Sequence, residues 1–125
     1  MPGTIKSILQ EGKTEASEEE CWHALELAAL DKVIRKLPQG LDTYLGGATL
    51  LSGGELRRLC IARSLIANKE FLILDEPFEG LDDKTSLNLI DNVLKSRRGV
   101  IIISHKTLLS KLDNLEELRL KRNLI

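Results

Sequence analysis

Residues 51–82 read LSGGELRRLCIARSLIANKEFLILDEPFEGLD, and the order of patterns within this stretch decides the fold. Two glycines lead into residues 55–67, where Leu56, Leu59, Cys60 and Ile66 recur at helical spacing. An apolar run of strand length follows at residues 71–74 and ends in an Asp-Glu pair. A helix that leads directly into a buried strand predicts an α/β layer with a parallel sheet.

The chain continues this alternation of helix and strand beyond residue 82. Leu87, Ile90 and Leu94 predict a helix over residues 84–95, with Asp82 or Asp83 as its N-cap. Residues 100–103 form a second apolar run, for which we expect a strand that is parallel to the first and, like it, buried on both faces. A further helix at residues 108–112 and a weaker strand at residues 118–120 are predicted after it.

Helices are predicted before residue 51 as well. Residues 17–20 have the form of a capping box, in which Ser17 is the N-cap and Glu20 reaches back to it. The helix that they open places Cys21, Leu25 and the alanines 28 and 29 on one face. We expect a short apolar turn at residues 5–9, a second short helix at residues 32–37 and a loop from residue 41 to residue 51.

Composition excludes several classes of protein. Eighteen basic residues balance nineteen acidic ones and aromatics are only 3%, which argues against a nucleic-acid partner. The hydrophobic content of 42% excludes a disordered chain, and no apolar run approaches the roughly 20 residues of a membrane span. The two cysteines lie far apart in sequence, which argues against a zinc site and favours small buried side chains in a reducing compartment.

Two short motifs carry chemistry, and each has a purely structural alternative. Residues 52–55, the glycine turn, combine a hydroxyl and two glycines with the positive end of a helix, a pattern suited to phosphate. The alternative is a flexible turn with an N-cap. Asp75 and Glu76 end a predicted parallel strand, where the first carboxylate suits Mg²⁺ and the second can deprotonate an attacking water. The alternative is an acidic turn ended by Pro77.

Taken together, these motifs closely resemble the signature motif, Walker B strand and D-loop of ATP-binding-cassette (ABC) ATPases, and His105 matches the switch histidine of that family. The resemblance implies a partial P-loop NTPase core with parallel strands and an α-helical signature subdomain. It implies ATP and Mg²⁺ as ligands. By position, Ser52, Gly53, Gly54, Glu55 and Asp82 would contact nucleotide, Asp75 would serve Mg²⁺, and Glu76 and His105 would be catalytic.

The resemblance covers nearly the whole chain. Residues 1–51 look like part of the helical subdomain, and residues 52–125 look like the signature helix with the C-terminal part of the ATPase core. Residues 37–43, LPQGLDT, resemble exporter-type members, and the runs GELRRLCIARSL and DEPFEGLD are similar to the bacterial CydC type, which exports cysteine and glutathione. The implied partners are a second nucleotide-binding domain and a transmembrane domain, with no nucleic acid. The implied place is the cytoplasmic face of a bacterial inner membrane, with this chain itself soluble.

The sequence also departs from the family pattern. It contains no GxxxxGK[ST] phosphate loop, no preceding β-subdomain and no aromatic residue placed to stack on adenine. Gln10 does not match the Q-loop glutamine, and residues 46–49 lack the glutamate of many exporters. We therefore expect a fragment of one nucleotide-binding domain that is inactive alone, with open apolar faces that invite association.

Two other functions fit the same residues. The chain could be a non-enzymatic module that docks a partner ATPase subunit or a membrane domain. It could also derive from an ATPase of the DNA-repair or translation type, against which residues 37–43 argue by resemblance. Sequence that precedes residue 4 would separate the exporter from the interaction module.

Overall fold

A computed structural model describes residues 3–46, 50–96 and 99–103 of the chain. The elements in chain order are helices α1 (Ile5–Gln10), α2 (Glu18–Leu27) and α3 (Asp31–Arg35), a 3₁₀ turn (Gly40–Asp42), helix α4 (Gly53–Ala67), strand β1 (Phe71–Asp75), helix α5 (Asp83–Ser96) and strand β2 (Gly99–Ile103). The predictions for His105, the helix at residues 108–112 and the strand at residues 118–120 lie outside the described residues, as do residues 47–49.

The two strands and α5 form a parallel β-α-β unit, as the sequence predicts. β1 and β2 pair in register from Phe71 with Gly99 to Asp75 with Ile103. The N–H of Glu76 donates one further hydrogen bond to the carbonyl oxygen of Ile103 at 2.8 Å. Because parallel strands end at the same edge, this pairing fixes the carboxylate-bearing turn after β1 against the end of β2.

The prediction that both faces of the strands are buried is wrong for β1, and no residue of β2 is fully buried either. Its side chains alternate, so that Leu72 and Leu74 are buried while Phe71 is 56% exposed and Ile73 is 58% exposed. One face of the strand packs into the core, and nothing in the described part of the chain covers the other. The apolar run of β1 therefore forms a strand that is buried on one face only.

The N-terminal helices follow the predicted capping signal closely. Ser17 Oγ accepts a hydrogen bond from the Glu20 N–H at 3.1 Å, and Glu20 Oε1 accepts one from the Ser17 N–H at 3.3 Å. The helix α2 ends at Leu27, before the predicted alanines, because Ala29 adopts a left-handed φ of 58°. Residues 5–10 form the helix α1 where a turn was expected, and α3 is shorter than predicted and lies earlier.

One hydrophobic core joins the N-terminal helices to the β-α-β unit. It is built from buried side chains of every helix and of β1, among them Ile8, Leu25, Leu59, Leu74 and Leu89. A hydrogen bond supports the same contact, since Asn92 Nδ2 in α5 donates to the carbonyl oxygen of Leu27 in α2 at 3.3 Å. The helix α4 packs against α1, α2 and β1, so that it lies between the N-terminal helices and the first strand.

Both cysteines were expected to be buried, and this is confirmed for Cys21 only. Cys21 is fully buried, and burial raises the pKa of its thiol. Cys60 is only half-buried.

Among the helices in the described ranges, none combines the length and apolar character that a membrane span requires.

Candidate functional site

The glycine turn is the capped N-terminus of α4. Ser52 Oγ accepts a hydrogen bond from the Glu55 N–H at 3.1 Å, and Glu55 Oε1 accepts one from the Ser52 N–H at 2.8 Å. This reciprocal pair is a capping box, and because of it the helix begins at Gly53, two residues before the predicted start. The resemblance implies that Glu55 contacts nucleotide, but in the structure its carboxylate is engaged in the cap.

The cap leaves the first two N–H groups of α4 to other acceptors. Ser52 Oγ serves Glu55 only, and the N–H groups of Gly53 and Gly54 have no carbonyl partner within the helix because they belong to its first turn. Such N–H groups carry the positive end of the helix dipole and bind anions. Ser52 and Gly53 are exposed at this helix start and fit the phosphate role expected for residues 52–54, whereas Gly54 is buried.

The second glycine of the turn is required by packing. A Cβ atom added to Gly54 would lie 2.7 Å from both the Cβ atom and the carbonyl oxygen of Glu79. A Cβ atom added to Gly53 would meet only Glu79 Oε2, at an ordinary contact distance of 3.5 Å. Gly54 is thus the point where the glycine turn and the segment that follows β1, residues 76–82 (the acidic loop), press together.

A buried arginine fastens the acidic loop to α4. Arg58 is 3% exposed, and its Nη1 donates hydrogen bonds to the carbonyl oxygens of Pro77 at 3.2 Å and Glu79 at 2.9 Å. Burial lowers the pKa of its guanidinium. Arg58 is not among the site residues predicted from the sequence. Its position four residues after Gly54 puts both on one helix face, and this spacing is the signal that could have identified it.

The neighbouring arginine makes a solvent-exposed contact with the same loop. Arg57 Nη1 lies 3.1 Å from Glu79 Oε2, with both side chains about half exposed. Glu79 therefore meets α4 twice: its carbonyl oxygen binds the buried Arg58, and its carboxylate binds the exposed Arg57. This carboxylate is a second feature that sequence reasoning did not single out.

The acidic loop is fixed at both of its ends. At its start, Glu76 adopts a left-handed φ of 48°, which is uncommon for a residue with a side chain, while its N–H bonds to Ile103 in β2. At its end, Asp82 Oδ1 accepts a hydrogen bond from the Thr85 N–H at 2.8 Å and so caps α5. This confirms the predicted capping role of an aspartate there. The two ends and Arg58 together hold the loop in one conformation.

The donor set at the end of β1 suits magnesium. Among the described residues, no group of three His, Cys, Asp or Glu side chains could hold a metal by itself. Mg²⁺ does not need such a group, because it is commonly bound through one or two carboxylates together with substrate phosphates and water. Asp75, the last residue of β1, is one carboxylate at the edge where parallel sheets bind their ligands, and it fits that role.

A cavity of ≈ 190 Å³ lies between α4 and β1. Its lining is mostly apolar, with one arginine and one aspartate: Arg57, Cys60, Ile61, Leu72, Ile73, Leu74, Asp75 and Pro77. Pockets for drug-sized ligands usually begin near 300 Å³, so this cavity is too small to enclose a nucleotide. Ser52, Gly53 and Asp75 are exposed at the surface.

The structure places the predicted site residues in two neighbouring regions. The glycine turn lies against Glu79 in the acidic loop, whereas Asp75 and Glu76, the first residue of that loop, lie at the end of the two-stranded sheet. His105, the expected switch histidine, falls outside the part of the chain that the structure describes.

Comparisons with known proteins agree on one kind of molecule. The family model described as ABC transporter matches residues 4–79. The chain is 38% identical over 106 residues to the probable multidrug resistance ABC transporter ATP-binding/permease protein YheI of Bacillus subtilis, covering 82% of the chain and 18% of that protein. It is 38% identical over 119 residues to the multidrug resistance-like ATP-binding protein MdlA of Buchnera aphidicola, covering 92% of the chain and 20% of that protein.

The structure of the chain is also similar to a solved structure. The chain matches a bacterial Atm1-family ABC exporter with ATP bound at a TM-score of 0.71 and 36% identity, covering 90% of the chain and 20% of the exporter chain. At this level of identity both fold and sequence are shared. The chain thus spans about one-fifth of the length of each of these three proteins.

Proposed function

This chain belongs to the ABC transporter family and has the fold of its ATPase, and we propose that it forms part of the ATP-binding and hydrolysing domain of an exporter. The observation that carries this proposal is the contact between the glycine turn and the acidic loop, made by Gly54 against Glu79. It ties the candidate phosphate-binding turn to the loop that follows the candidate catalytic pair. A flexible linker would not need a glycine at that contact.

The proposed roles are those that the resemblance to ABC ATPases implies for each group. The N–H groups of Gly53 and Gly54, with the Ser52 hydroxyl, would bind the γ-phosphate of ATP held mainly by a partner subunit. Asp75 would hold Mg²⁺, which when bound neutralises charge on the phosphates. Glu76 would accept a proton from the attacking water, and Asp82 would lie at the interface between subunits. His105 would contact the γ-phosphate.

A complete ATP site needs groups that these 125 residues do not contain. The sequence has no GxxxxGK[ST] motif, the loop whose backbone and lysine supply most of the affinity for phosphate in this class. We therefore propose that this motif comes from other sequence, with a second nucleotide-binding domain and a transmembrane domain as partners. The assembly would work at the cytoplasmic face of a membrane.

The cargo is a finer part of the proposal. The similarity of residues 54–65 and 75–82 to the CydC type supports the export of cysteine or glutathione. The named relatives YheI and MdlA are multidrug-type proteins, so this similarity is the sole support for a thiol cargo. The identity of the cargo would not change the roles of Glu76, Ser52 and Gly54, because these residues would act on ATP.

A graft into a relative tests the proposal. The matching 106-residue segment of YheI is replaced by this chain's sequence, and ATP hydrolysis by the purified chimera is measured. We expect the chimera to hydrolyse ATP and Glu76→Gln to lower its turnover by about 10²–10⁴-fold, because an amide cannot accept the proton of the water. Nucleotide binding should persist in that variant.

Glu19→Gln is the matched control, since it makes the same chemical change on the exposed side of α2. Its turnover should equal that of the unsubstituted chimera. A folded chimera with no measurable turnover of ATP would contradict the enzymatic role and favour the interaction module. An unchanged turnover in Glu76→Gln would show that another group is the base.

A further inference from the structure

Glu79 places a negative charge beside the proposed phosphate-binding turn. Its Oε2 atom lies 3.5 Å from the position of a Cβ atom added to Gly53, the first residue of α4. A helix N-terminus attracts any nearby anion, whether a ligand or a side chain of the protein itself. The Glu79 carboxylate therefore lowers the positive electrostatic potential at the helix N-terminus that would attract a phosphate group.

The other carboxylate at this helix start is engaged differently. Glu55 Oε1 is bound to the Ser52 N–H within the capping box, so its position is fixed by the helix. The Glu79 carboxylate has Arg57 as its partner at 3.1 Å, and both side chains are about half exposed. Exposed pairs of this kind are weak and can exchange partners, because water screens them on either side.

We propose that Glu79 competes with the incoming phosphate for the N-terminus of α4, and that Arg57 limits this competition by pairing with the Glu79 carboxylate. The proposal rests on the proposed function, because it concerns the regulation of the same phosphate-binding turn. With both residues present, their charges offset one another beside the turn. Removal of either charge alone shifts the electrostatic potential at Gly53 and Gly54, in opposite directions for the two residues.

The backbone contacts of Glu79 allow the charge to be changed without moving the loop. Its carbonyl oxygen is held by Arg58 and its Cβ atom packs on Gly54, whereas its carboxylate reaches solvent. Glu79→Gln therefore keeps the shape of the side chain and removes only its charge. Arg57→Gln removes the opposite charge at an exposed position.

The test is a titration of the full 125-residue chain, labelled with ¹⁵N, with inorganic tripolyphosphate. The amide signals of Gly53 and Gly54 report binding at the turn. We expect weak binding by the unsubstituted chain, about fivefold tighter binding by Glu79→Gln and about fivefold weaker binding by Arg57→Gln at low salt. The double variant should return close to the original affinity, and all differences should shrink at high salt.

Glu26→Gln is the matched control, because Glu26 forms a similar exposed pair with Arg35, 3.9 Å away, in the N-terminal helices. It should leave the affinity unchanged. Binding at Gly53 and Gly54 that is equal in all variants would overturn the competition and leave the phosphate site intact. An absence of binding at these amides in every variant, Glu79→Gln included, would overturn the phosphate site and with it the competition.

Discussion

The carbonyl oxygen of Glu79 accepts a hydrogen bond from Arg58 Nη1 at 2.9 Å, and the same nitrogen donates to the carbonyl oxygen of Pro77 at 3.2 Å. Arg58, a residue that is 3% exposed, thus provides the partner for two backbone carbonyls of the acidic loop. Buried carbonyls without a donor are costly, so this arginine is a structural requirement of the loop. It also joins the loop to the helix that carries the glycine turn.

Arg58→Met should therefore destabilise the chain. Methionine fills a similar volume but donates no hydrogen bond, which leaves the carbonyls of Pro77 and Glu79 unpaired. We expect a loss of about 1–3 kcal/mol in the free energy of unfolding, measured by chemical denaturation. Arg57→Met is the control, and it should lose at most about 1 kcal/mol because its ion pair is exposed. Equal losses in the two variants would show that the hydrogen bonds of Arg58 add nothing to stability.

The two glycines of the turn should respond differently to alanine. Gly54→Ala places a Cβ atom 2.7 Å from the backbone carbonyl oxygen of Glu79, so the acidic loop or the helix must shift. Overpacking of this kind costs typically about 1–3 kcal/mol. Gly53→Ala meets only an ordinary contact of 3.5 Å and should be neutral or slightly stabilising.

Thermal unfolding of both glycine variants measures this difference. Gly80→Ala separates steric contact from backbone strain, because a Cβ atom there meets nothing within 4 Å but the residue has a φ of 78°. It should be destabilised by strain alone. If Gly54→Ala were as stable as Gly53→Ala, the close packing of turn and loop would not hold in solution.

Local signals predicted much of this fold, and contacts remote in sequence account for what they missed. The capping box of Ser17 and Glu20 and the cap at Asp82 depend on residues three apart, so both are visible in the sequence. The burial of Arg58 is not visible in the sequence, because its hydrogen-bond partners are carbonyl oxygens about twenty residues further along the chain. An arginine in an amphipathic helix would ordinarily be assigned to the exposed side.

The exposed face of β1 shows the same limit for apolar residues. Phe71 and Ile73 carry the same hydrophobic signal as Leu72 and Leu74, so composition predicts burial for all four. Whether a strand is covered on one face or two is decided by the elements that pack on it. The roles of Asp75 and Glu76 depend in the same way on groups that other sequence would bring.

The exposed face should make the chain self-associate. Phe71 and Ile73 lie on one side of β1 at 56% and 58% exposure, where apolar surface invites contact with another molecule. Replacing both by threonine keeps the preference for a strand while removing most of that apolar area. We expect sedimentation velocity to show less dimer or aggregate, with little change in stability.

Leu74→Ala is the contrasting variant, because Leu74 is 1% exposed on the opposite face of the strand. It should lose about 2–5 kcal/mol of stability through the cavity that it leaves. Self-association that is unaffected by the threonine pair would place the contact between chains on another surface.

Two capping boxes lie within the described residues, and this allows the phosphate role of Ser52 to be separated from its structural role. Ser52 and Ser17 each accept a hydrogen bond from the third residue of a helix at 3.1 Å, with Glu55 and Glu20 as their reciprocal partners. Ser52→Ala and Ser17→Ala should each lower the stability by about 1 kcal/mol, because each removes the same cap. In the YheI chimera, only Ser52→Ala should also raise the ATP concentration needed for half-maximal hydrolysis.

A bulkier change at the same position sharpens the comparison. Ser52→Arg puts a large cation where the nucleotide must be enclosed between two subunits, so it should block ATP-driven dimerisation more than ATP binding by one subunit. The α4 helix should survive, since position 52 lies at its edge. Stability, nucleotide binding and dimer formation are measured on each variant, with Ser17→Arg as the control. If the Ser52 and Ser17 variants lose stability equally and dimerise equally, Ser52 is a helix cap alone.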